Sequence, residues 1–326
     1  MNFEQPVLLT GVAGFIASRT AHFLLDAGVE VIGVDNCNDY YDVRLKRRRL
    51  EALIGRPGFT FHELDIENLP ALRLVFEIHR PRSVLNLAAR AGVGYSLKNP
   101  HVYLTTNACG TLNLLEMMRA FDVSKMVLAS TSSLYAGLPM PFSEALPVNT
   151  PISPYAASKK AAEVMAYSYH FLFGMDISIV RYFTVFGPAG RPDMSIYRFI
   201  QWIAQGKKLE LTGDGSQSRD FTFVDDIARG SIAALRPVGF EVINLGGGRN
   251  PRTMMDVIRH IENALGKTAD IHHLPMPPED MQATWADIEK AARLLDWTPG
   301  ISLEEGLDRT IAWHLENQEF LAGLRM

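Results

Sequence analysis

Cysteine and excess charge are both scarce in this sequence, and each shortage excludes a class of protein. The 326 residues include two cysteines, Cys37 and Cys109, which cannot form a disulfide framework and lack the spacing of zinc ligands. We therefore expect a reducing, cytoplasmic location and no metal site. With 32 basic and 36 acidic residues the formal net charge is -4, so the chain lacks the basic surface that binds duplex nucleic acid. The dense basic cluster, Arg44 with residues 46–49, is predicted to be a solvated helix face.

Long uninterrupted apolar segments are absent as well. The stretch with fewest charges, residues 126–158, contains Glu144 as its single charged residue and is broken by five prolines. A broken backbone would leave polar groups unpaired in lipid, so this stretch cannot span a membrane as a helix. The first apolar run already begins at Val7, which leaves too little room for a secretory signal. We therefore expect no membrane partner.

Short apolar runs alternate with helical patterns through the first half of the chain. Strands this short and apolar, each followed by a helix, predict an α/β fold with a doubly wound parallel sheet of the Rossmann type. Strands are predicted at residues 7–9, 29–34, 59–64, 83–87, 125–130 and 177–182, and helices at residues 15–27, 69–79, 102–120 and 155–173.

The alternation breaks down beyond residue 187, where turn-rich segments separate the elements. Helices are predicted over residues 195–205 and 224–235, and a strand over residues 241–245 that rejoins the main sheet. We predict a dinucleotide-binding domain over residues 1–184, with a return near residues 224–246. A smaller, interleaved C-terminal α/β lobe is predicted over residues 185–326.

A glycine-rich turn separates the first predicted strand from the first helix. Gly11 and Gly14 permit a tight turn and let a pyrophosphate approach the backbone at the helix N-terminus. Ala17 replaces the third glycine and still allows the helix to pack closely on the strand. Such a turn can be purely structural, but Asp35 ends the second strand about 20 residues later, where ribose hydroxyls are bound. Because a carboxylate repels a 2′-phosphate, NAD is expected rather than NADP.

Three further segments contribute to the predicted nucleotide site. Asp65 follows the third strand, where its carboxylate either meets an adenine edge or caps a helix. Leu87, Ala88 and Ala89 follow the fourth strand and are small enough for a cofactor to lie against the backbone. Asn107, within a predicted helix, indicates either a structural hydrogen bond or a solvent-facing side chain.

A tyrosine and a lysine four residues apart are predicted to share one face of a helix. A nearby ammonium lowers the pKa of the Tyr155 phenol, and Lys159 supplies that charge. Such spacing is common on surface helices, so a second signal is needed. Four hydroxyl residues at the carboxyl end of a strand supply it, because ligands of open α/β sheets bind at such ends. They are Ser130, Thr131, Ser132 and Ser133.

These residues together resemble the extended short-chain dehydrogenase/reductase superfamily, and within it the nucleotide-sugar epimerases and dehydratases. The resemblance covers nearly the whole chain, and Ala17 is a departure from the usual third glycine. It also extends to residues 181–188, 190–194, 213–215, 219–226 and 286–287. The resemblance implies that Tyr155 is the general base, that Lys159 lowers its pKa and contacts ribose, and that Thr131 bonds the sugar 4-hydroxyl.

The resemblance also implies the residues that hold the cofactor and the substrate. Cofactor binding is expected of Gly11, Gly14, Phe15, Ile16, Asp35, Asn36, Asn38, Asp65, Ile66, Leu87, Ala88, Ala89, Asn107, Ser130, Tyr155, Lys159 and Tyr182. UDP-sugar binding is expected of Ser132, Ser133, Thr184, Arg191, Met194, Arg219 and Asp280. The Arg219 guanidinium would pair with the diphosphate.

The acids around the sugar decide which reaction follows oxidation at C4. Dehydratases of the family carry Asp-Glu directly after the catalytic threonine, and uronate decarboxylases carry a glutamate at the second of these positions. Here the two positions are Ser132 and Ser133, which favours C4 epimerisation. Residues 38–50 and 183–194 look like those of UDP-glucuronate 4-epimerases. Arg191 is either the charge partner of the uronate carboxylate or the anchor of its own turn.

The sequence leaves alternative functions open and also predicts an oligomeric state. The alternatives are UDP-glucose 4-epimerase, another nucleotide-sugar epimerase or decarboxylase, and a catalytically silent NAD-binding scaffold or sensor. Related enzymes dimerise by pairing two helices from each subunit, so a homodimer is expected. The apolar residues predicted to form this contact are Leu112, Leu115, Met118, Val164 and Tyr169.

Overall fold

A seven-stranded parallel sheet forms the centre of the molecule, whose computed structural model describes residues 3–248, 251–277 and 281–325. The strand order is β11-β6-β5-β4-β1-β2-β3, which reverses between β1 and β4. This topology confirms the predicted doubly wound α/β fold. The strands of this sheet are β1 (Val7–Thr10), β2 (Val31–Asp35), β3 (Phe59–Glu63), β4 (Ser83–Asn86), β5 (Lys125–Thr131), β6 (Asp176–Tyr182) and β11 (Phe240–Leu245).

Helices cover both faces of the sheet, as uniformly apolar strands require. Neighbouring residues of β1 face different cores: Leu8 packs with Phe76 and Leu114, whereas Leu9 packs with Leu24. The α-helices are α1 (Phe15–Asp26), α2 (Val43–Glu51), α3 (Leu69–His79), α4 (Val93–Lys98), α5 (His101–Tyr103), α6 (Gly110–Ala120), α7 (Pro154–Phe173), α8 (Ser195–Gln205), α9 (Val224–Ala233), α10 (Met254–Leu265), α11 (Glu289–Leu295), α12 (Leu303–Glu316) and α13 (Gln318–Ala322).

Short strands in two-stranded sheets organise the C-terminal lobe. β7 (Thr184–Phe186) pairs with β10 (Phe221–Phe223), and β8 (Lys208–Thr212) pairs with β13 (Asp270–Leu274), both in parallel. The third pair, β9 (Ser218–Arg219) with β12 (Arg252–Thr253), is antiparallel. Strand β11 instead extends the main sheet beside β6, and α9 packs against α1. The chain therefore leaves the main sheet after β6 and returns to it at β11.

The single helix predicted over residues 102–120 is interrupted. A π-helical turn, Leu104–Cys109, separates α5 from α6. Asn107 within this turn binds the backbone of Arg90 through both atoms of its amide and donates to Ser158. A buried amide with three partners fixes the local backbone, and π-turns of this kind occur frequently at functional sites.

Part of the predicted dimer stripe lies inside the core. Leu115 and Met118 are fully buried against the sheet, and the Tyr169 ring is also buried. Sequence periodicity identified an apolar face correctly but did not reveal that the chain itself covers it. Within the described ranges, no helix combines the length and the hydropathy that crossing a membrane requires.

Candidate active site

The switch point of the sheet brings the glycine turn against the end of β4. Gly11 has φ +72°, and a Cβ on it would lie 2.8 Å from the Ala88 nitrogen and 2.9 Å from the Leu87 carbonyl carbon. Only glycine meets both demands. The Thr10 hydroxyl donates to Asn86 at 2.7 Å and accepts from the Ala88 N–H at 3.1 Å, which joins the two strand ends. The predicted residues Gly11, Leu87 and Ala88 therefore lie together at the point where such sheets bind ligands.

Carboxylates follow the next two strands. Asp35 accepts hydrogen bonds from the N–H groups of Ala13 (3.1 Å) and Cys37 (2.8 Å), so its carboxylate is held beside the glycine turn. Asn36 donates to Asp65 at 2.6 Å and accepts from the Asn38 side chain at 2.7 Å. These polar residues form one continuous patch at the carboxyl edge of β2 and β3.

Only part of the basic cluster on α2 is the solvated face that its composition predicted: the side chains of Arg44, Arg47 and Arg48 are 57%, 46% and 56% exposed, but Lys46 and Arg49 are not. Lys46 and Arg49 are about 5% exposed, and they share one helical face with the core residues Leu45 and Leu50. Burial lowers the pKa of Lys46, and the Asp35 carboxylate opposes that effect. The spacing of Lys46 and Arg49 with the two leucines was the available signal, because it matches a single buried helical face.

Arg49 joins the nucleotide turn to the C-terminal lobe. Its guanidinium donates to the carbonyls of Ala13 (3.1 Å), Ala189 (2.7 Å) and Gly190 (3.2 Å), and also to the Tyr41 hydroxyl. Such a fork satisfies several carbonyls at once, which a lysine cannot do in this geometry.

Hydroxyl groups gather at the end of β5, where the sequence predicted them. The Thr131 hydroxyl accepts from the Ser133 N–H and donates to the Ser133 hydroxyl, both at 3.1 Å. Ser132 is buried beside them at the start of the 3₁₀ turn Ser132–Tyr135. Ser130 differs, because its hydroxyl donates to Glu163 at 2.7 Å and thus points into the interior.

Tyr155 and Lys159 lie on the first turns of α7. Ser153 caps this helix and Pro154 is its first residue, so the sequence itself fixes where the helix begins. Burial raises the pKa of Tyr155, and a hydrogen bond with Thr131 and the charge of Arg191 oppose that increase. Burial is the dominant influence on the phenol, and the Thr131 hydroxyl and the Arg191 charge partly offset it.

Lys159 is itself buried, and the charged group that acts on it is the Glu163 carboxylate. Burial lowers the pKa of Lys159 to about 8, and the negative charge of Glu163 opposes this. Glu163 accepts from Arg181 in a bidentate pair, with distances of 2.9 and 2.8 Å. The sequence analysis missed Glu163, although its position one turn after Lys159 placed it on the same helical face.

Thr184, Arg191 and Met194 line one cavity, together with Phe15 from the start of α1. Arg191 forms a two-pronged ion pair with Asp193, and its guanidinium lies 5.7 Å from the centre of the Tyr40 ring. Arg191 thus anchors its own turn and also acts electrostatically on the Tyr155 phenol. The pair with Asp193 supports the interpretation of Arg191 as the anchor of its own turn, and its role as partner of a uronate carboxylate stays a prediction.

Three further predicted site residues are Arg219, Tyr182 and Asp280. Arg219 ends β9, and Asp220 beside it accepts from the N–H groups of Gly248 and Ala286. The Tyr182 hydroxyl bonds with Ser231 rather than facing the cavity. Asp280 lies outside the described residues.

The fold and these side chains define a class of protein. A switch-point glycine turn, a strand-end carboxylate and a tyrosine–lysine helix beside strand-end hydroxyls are the features of an extended short-chain dehydrogenase/reductase. Residues 8–310 match the family model described as GDP-mannose 4,6 dehydratase, and the chain belongs to this family.

Several characterised proteins resemble the chain over their full length. The UDP-glucuronate 4-epimerase of Thermodesulfobacterium geofontis is 56% identical over 319 residues, which cover 98% of this chain and 99% of that protein. A Bacillus cereus UDP-glucuronic acid 4-epimerase, solved with UDP-glucuronic acid and NAD, superposes with a TM-score of 0.89 at 36% identity, covering 95% and 99% of the two chains. The Thermotoga maritima UDP-glucose 4-epimerase, solved with UDP-glucose, gives a TM-score of 0.87 at 30% identity, covering 98% and 100%.

Proposed function

We propose that the chain is an NAD-dependent isomerase that inverts C4 of UDP-glucuronate to give UDP-galacturonate. The observation that carries this proposal has two parts. Serine hydroxyls, and not carboxylates, occupy positions Ser132 and Ser133, and the Arg191 guanidinium lies near enough to Tyr155 to act on its charge. A dehydratase needs an acid after Thr131 to expel the C6 hydroxyl, and this chain has serine there. The 56% identity to a UDP-glucuronate 4-epimerase supports the same substrate.

The residues present fit NAD. Gly11 leaves the backbone open at the helix N-terminus, where a pyrophosphate is stabilised, and Asp35 stands where ribose hydroxyls are bound. Lys46 is a buried cation beside Asp35, and the buried Nε of Arg90 has no hydrogen-bond partner among the described residues. A buried donor without a partner is costly, and a polar ligand would satisfy it. We assign both cations to the adenosine half of NAD.

The chain's own residues manage protons and charge. NAD, when bound, would supply the acceptor for the C4 hydride and the donor from which the hydride returns to the other face of the sugar. The ionised Tyr155 side chain takes the proton of the 4-hydroxyl and becomes a neutral phenol, which later gives the proton back, while Thr131 orients that hydroxyl. Lys159 provides a positive charge on the same helical face, which favours the ionised phenol.

Arg191 is suited to hold the C6 carboxylate. Its bonds to Asp193 use Nε and Nη2, and a guanidinium carries five N–H donors in all. The edge formed by Nη1 and Nη2 therefore remains for a second carboxylate, which it can bind through two parallel hydrogen bonds. Thr184 lines the same cavity and adds a hydroxyl. Arg219 is the residue proposed for the diphosphate.

We further propose that the protein is a homodimer that pairs α7 with its symmetry mate. The outer face of α7 exposes Val164 (54%), Tyr167 (53%) and Phe171 (74%), spaced by three and four residues. Large apolar side chains in such a row mark an interaction surface. The cytoplasmic location expected from the two cysteines stays a prediction.

Product analysis tests the proposed reaction. The purified protein is incubated with UDP-glucuronate without added cofactor, and the nucleotide sugars are separated and identified. We expect UDP-galacturonate to form, NAD to be released on denaturation, and Tyr155→Phe to retain NAD without turnover. Interconversion of UDP-glucose and UDP-galactose with no action on UDP-glucuronate would overturn the substrate, and an inert protein would favour a silent scaffold.

A further inference from the structure

The residue 38–50 segment contacts the turn that carries Arg191 at two places. The proposed cofactor and sugar contacts do not account for either of them. Arg49 reaches this turn from α2, and Tyr40 reaches the Arg191 side chain from the loop before α2. Both contacts join a part of the first lobe to the loop after β7. They therefore connect the nucleotide side of the site with its sugar side.

Arg49 holds the backbone just before Arg191 in a strained conformation. Ala189 has φ +54°, in the left-handed region that residues with a side chain rarely adopt. Strain of this kind persists only where surrounding contacts enforce it. Two nitrogens of Arg49 bind the Ala189 carbonyl, at 3.1 and 2.7 Å, and one of them also binds Gly190 at 3.2 Å. The same guanidinium binds Ala13, so the turn is positioned relative to the glycine loop.

Tyr40 restricts the Arg191 side chain itself. The guanidinium carbon lies 5.7 Å from the centre of the Tyr40 ring, within the range of a cation–π contact. Gly92 makes space for this arrangement, since a Cβ there would lie 2.7 Å from the Tyr40 hydroxyl and 3.6 Å from Arg191 Nη2. Asp193 binds the Nε side of the fork. The guanidinium is thereby held on two sides, with its Nη1–Nη2 edge remaining.

We propose that Arg49 and Tyr40 are positioning residues for Arg191, and that through them the residue 38–50 segment selects sugars with a C6 carboxylate. This inference rests on the proposed function of Arg191. Neither residue has to touch the sugar, because a guanidinium binds a carboxylate bidentately only when its plane and position are fixed. The residue 38–50 segment can therefore favour uronates without contacting the sugar itself.

Binding measurements on matched variants test the inference. Dissociation constants are measured for UDP-glucuronate and for UDP-xylose, which is the same sugar nucleotide without the C6 carboxylate. We expect Arg49→Met and Tyr40→Leu to weaken UDP-glucuronate about tenfold, as for a displaced charge-assisted hydrogen bond, and to leave UDP-xylose unchanged. Arg48→Met is the matched control, since Arg48 lies on the same helix with its side chain 56% exposed.

The outcomes separate this inference from the proposed function. If Arg191→Ala does not change the preference for UDP-glucuronate over UDP-xylose, the carboxylate role of Arg191 is wrong and the inference falls with it. If Arg191→Ala abolishes the preference but Arg49→Met and Tyr40→Leu keep it, the inference alone is wrong. Equal loss of both ligands in both variants would mean a general structural role and would also overturn it. Two variants at separate contacts guard against misfolding of either one.

Discussion

Glu163 lies away from the reacting atoms but influences the protonation of Lys159. It lies one turn after Lys159, accepts from Ser130 at 2.7 Å and pairs with Arg181 from β6. Burial acts to raise the pKa of Glu163, but the Arg181 pair and the Ser130 hydroxyl more than offset it, so the pKa is lowered. The carboxylate stays charged and stabilises the protonated form of Lys159.

Replacing this carboxylate should shift the pH dependence of turnover. In Glu163→Gln the negative charge that favours protonated Lys159 is lost, so the pKa of Lys159 falls below its present value of about 8. Because the cationic form assists Tyr155, the alkaline limb of the kcat profile should move to lower pH. The measurement is kcat against pH with UDP-glucuronate.

Removing the partner as well provides the control. In the double variant Glu163→Gln, Arg181→Met the carboxylate that acts on Lys159 is still missing, so the alkaline limb should stay at the lower pH of the single variant. Deleting the guanidinium that the single variant leaves unpaired should recover stability without moving the limb. A limb that stays in place in the single variant, with only the rate reduced, would show that Glu163 acts through structure and not through charge.

Thr184 allows a second test at the scale of a single residue. Oxidation at C4 of a uronate gives a β-keto acid, which loses CO₂ when the carboxylate aligns with the ketone. Thr184→Val removes a hydroxyl from the cavity that Arg191 lines, so we expect slower epimerisation and a larger share of 4-keto pentose product. Mass analysis of the products measures both.

The neighbouring β10 strand supplies the matched substitution. The Thr222 hydroxyl is buried without a hydrogen-bond partner among the described residues, so Thr222→Val should leave the product ratio unchanged. A Thr184→Val enzyme with the parent rate and product ratio would remove Thr184 from the proposed carboxylate site.

Helix α7 carries the proposed catalytic residues and the proposed dimer surface on opposite faces. Its inner face presents Tyr155, Lys159 and Glu163 to the sheet, while its outer face exposes Val164 and Phe171. A helix 20 residues long has room for both, because positions three and four apart repeat on the same side. The catalytic and the proposed dimer surfaces therefore share one rigid element.

Charge on the outer face should disrupt assembly. Phe171→Glu places a carboxylate where we propose that two subunits meet, so the mass in solution should fall from that of a dimer to that of a monomer. Light scattering at micromolar concentration measures this. Ile78→Glu on α3, where the side chain is 69% exposed, is the control and should leave the mass unchanged. A parent protein that is already monomeric would rule out the dimer.

At the scale of the whole molecule, the C-terminal helices close over the first lobe. Leu321 of α13 is buried with Leu45 of α2 and Tyr197 of α8. His314 on α12 is also buried, and its ring lies 5.5 Å from the ring of Tyr197 in an edge contact. Leu45 and Leu321 are 276 positions apart in the chain, and Tyr197 and His314 are 117 apart, so the stability of this region depends on segments distant in sequence.

The buried His314 should make the protein less stable in acid. Burial lowers the pKa of His314 from 6.5 to about 4, so the unfolded chain binds a proton between these pH values and the folded chain does not. Stability therefore falls as the pH drops through this window, by roughly 3–4 kcal/mol over the whole of it at about 1.4 kcal/mol per pKa unit.

Denaturant unfolding at pH 7 and pH 5 measures this effect. His314→Phe keeps an aromatic ring without a titrating group, so it should lose less stability between the two pH values than the parent protein. His272→Phe, at an exposed position on β13, is the control and should behave like the parent. An equal loss in the His314 variant and the parent would contradict the assignment.

The sequence contained enough local information for the sheet, most helices and the nucleotide turn. The bounds of α3 and α8 were predicted as the structure has them, because apolar periodicity reports the buried face of a helix directly. The turn at Gly11 and the strand-end position of Asp35 also follow from residues close together in the chain. Helix α7 was predicted from residue 155, one residue after the Pro154 at which it begins.

Tertiary structure alone decided what covers each face and which distant groups meet. Leu115 and Met118 were predicted to form an exposed apolar stripe, but they pack against the sheet. Lys46 and Arg49 were predicted to face solvent, but both side chains are buried. Local patterns show that a face is apolar or charged, whereas its partner comes from another part of the chain. The bonds from Arg49 to Ala13 and Ala189 span 36 and 140 residues, and no local signal encodes contacts at such separations.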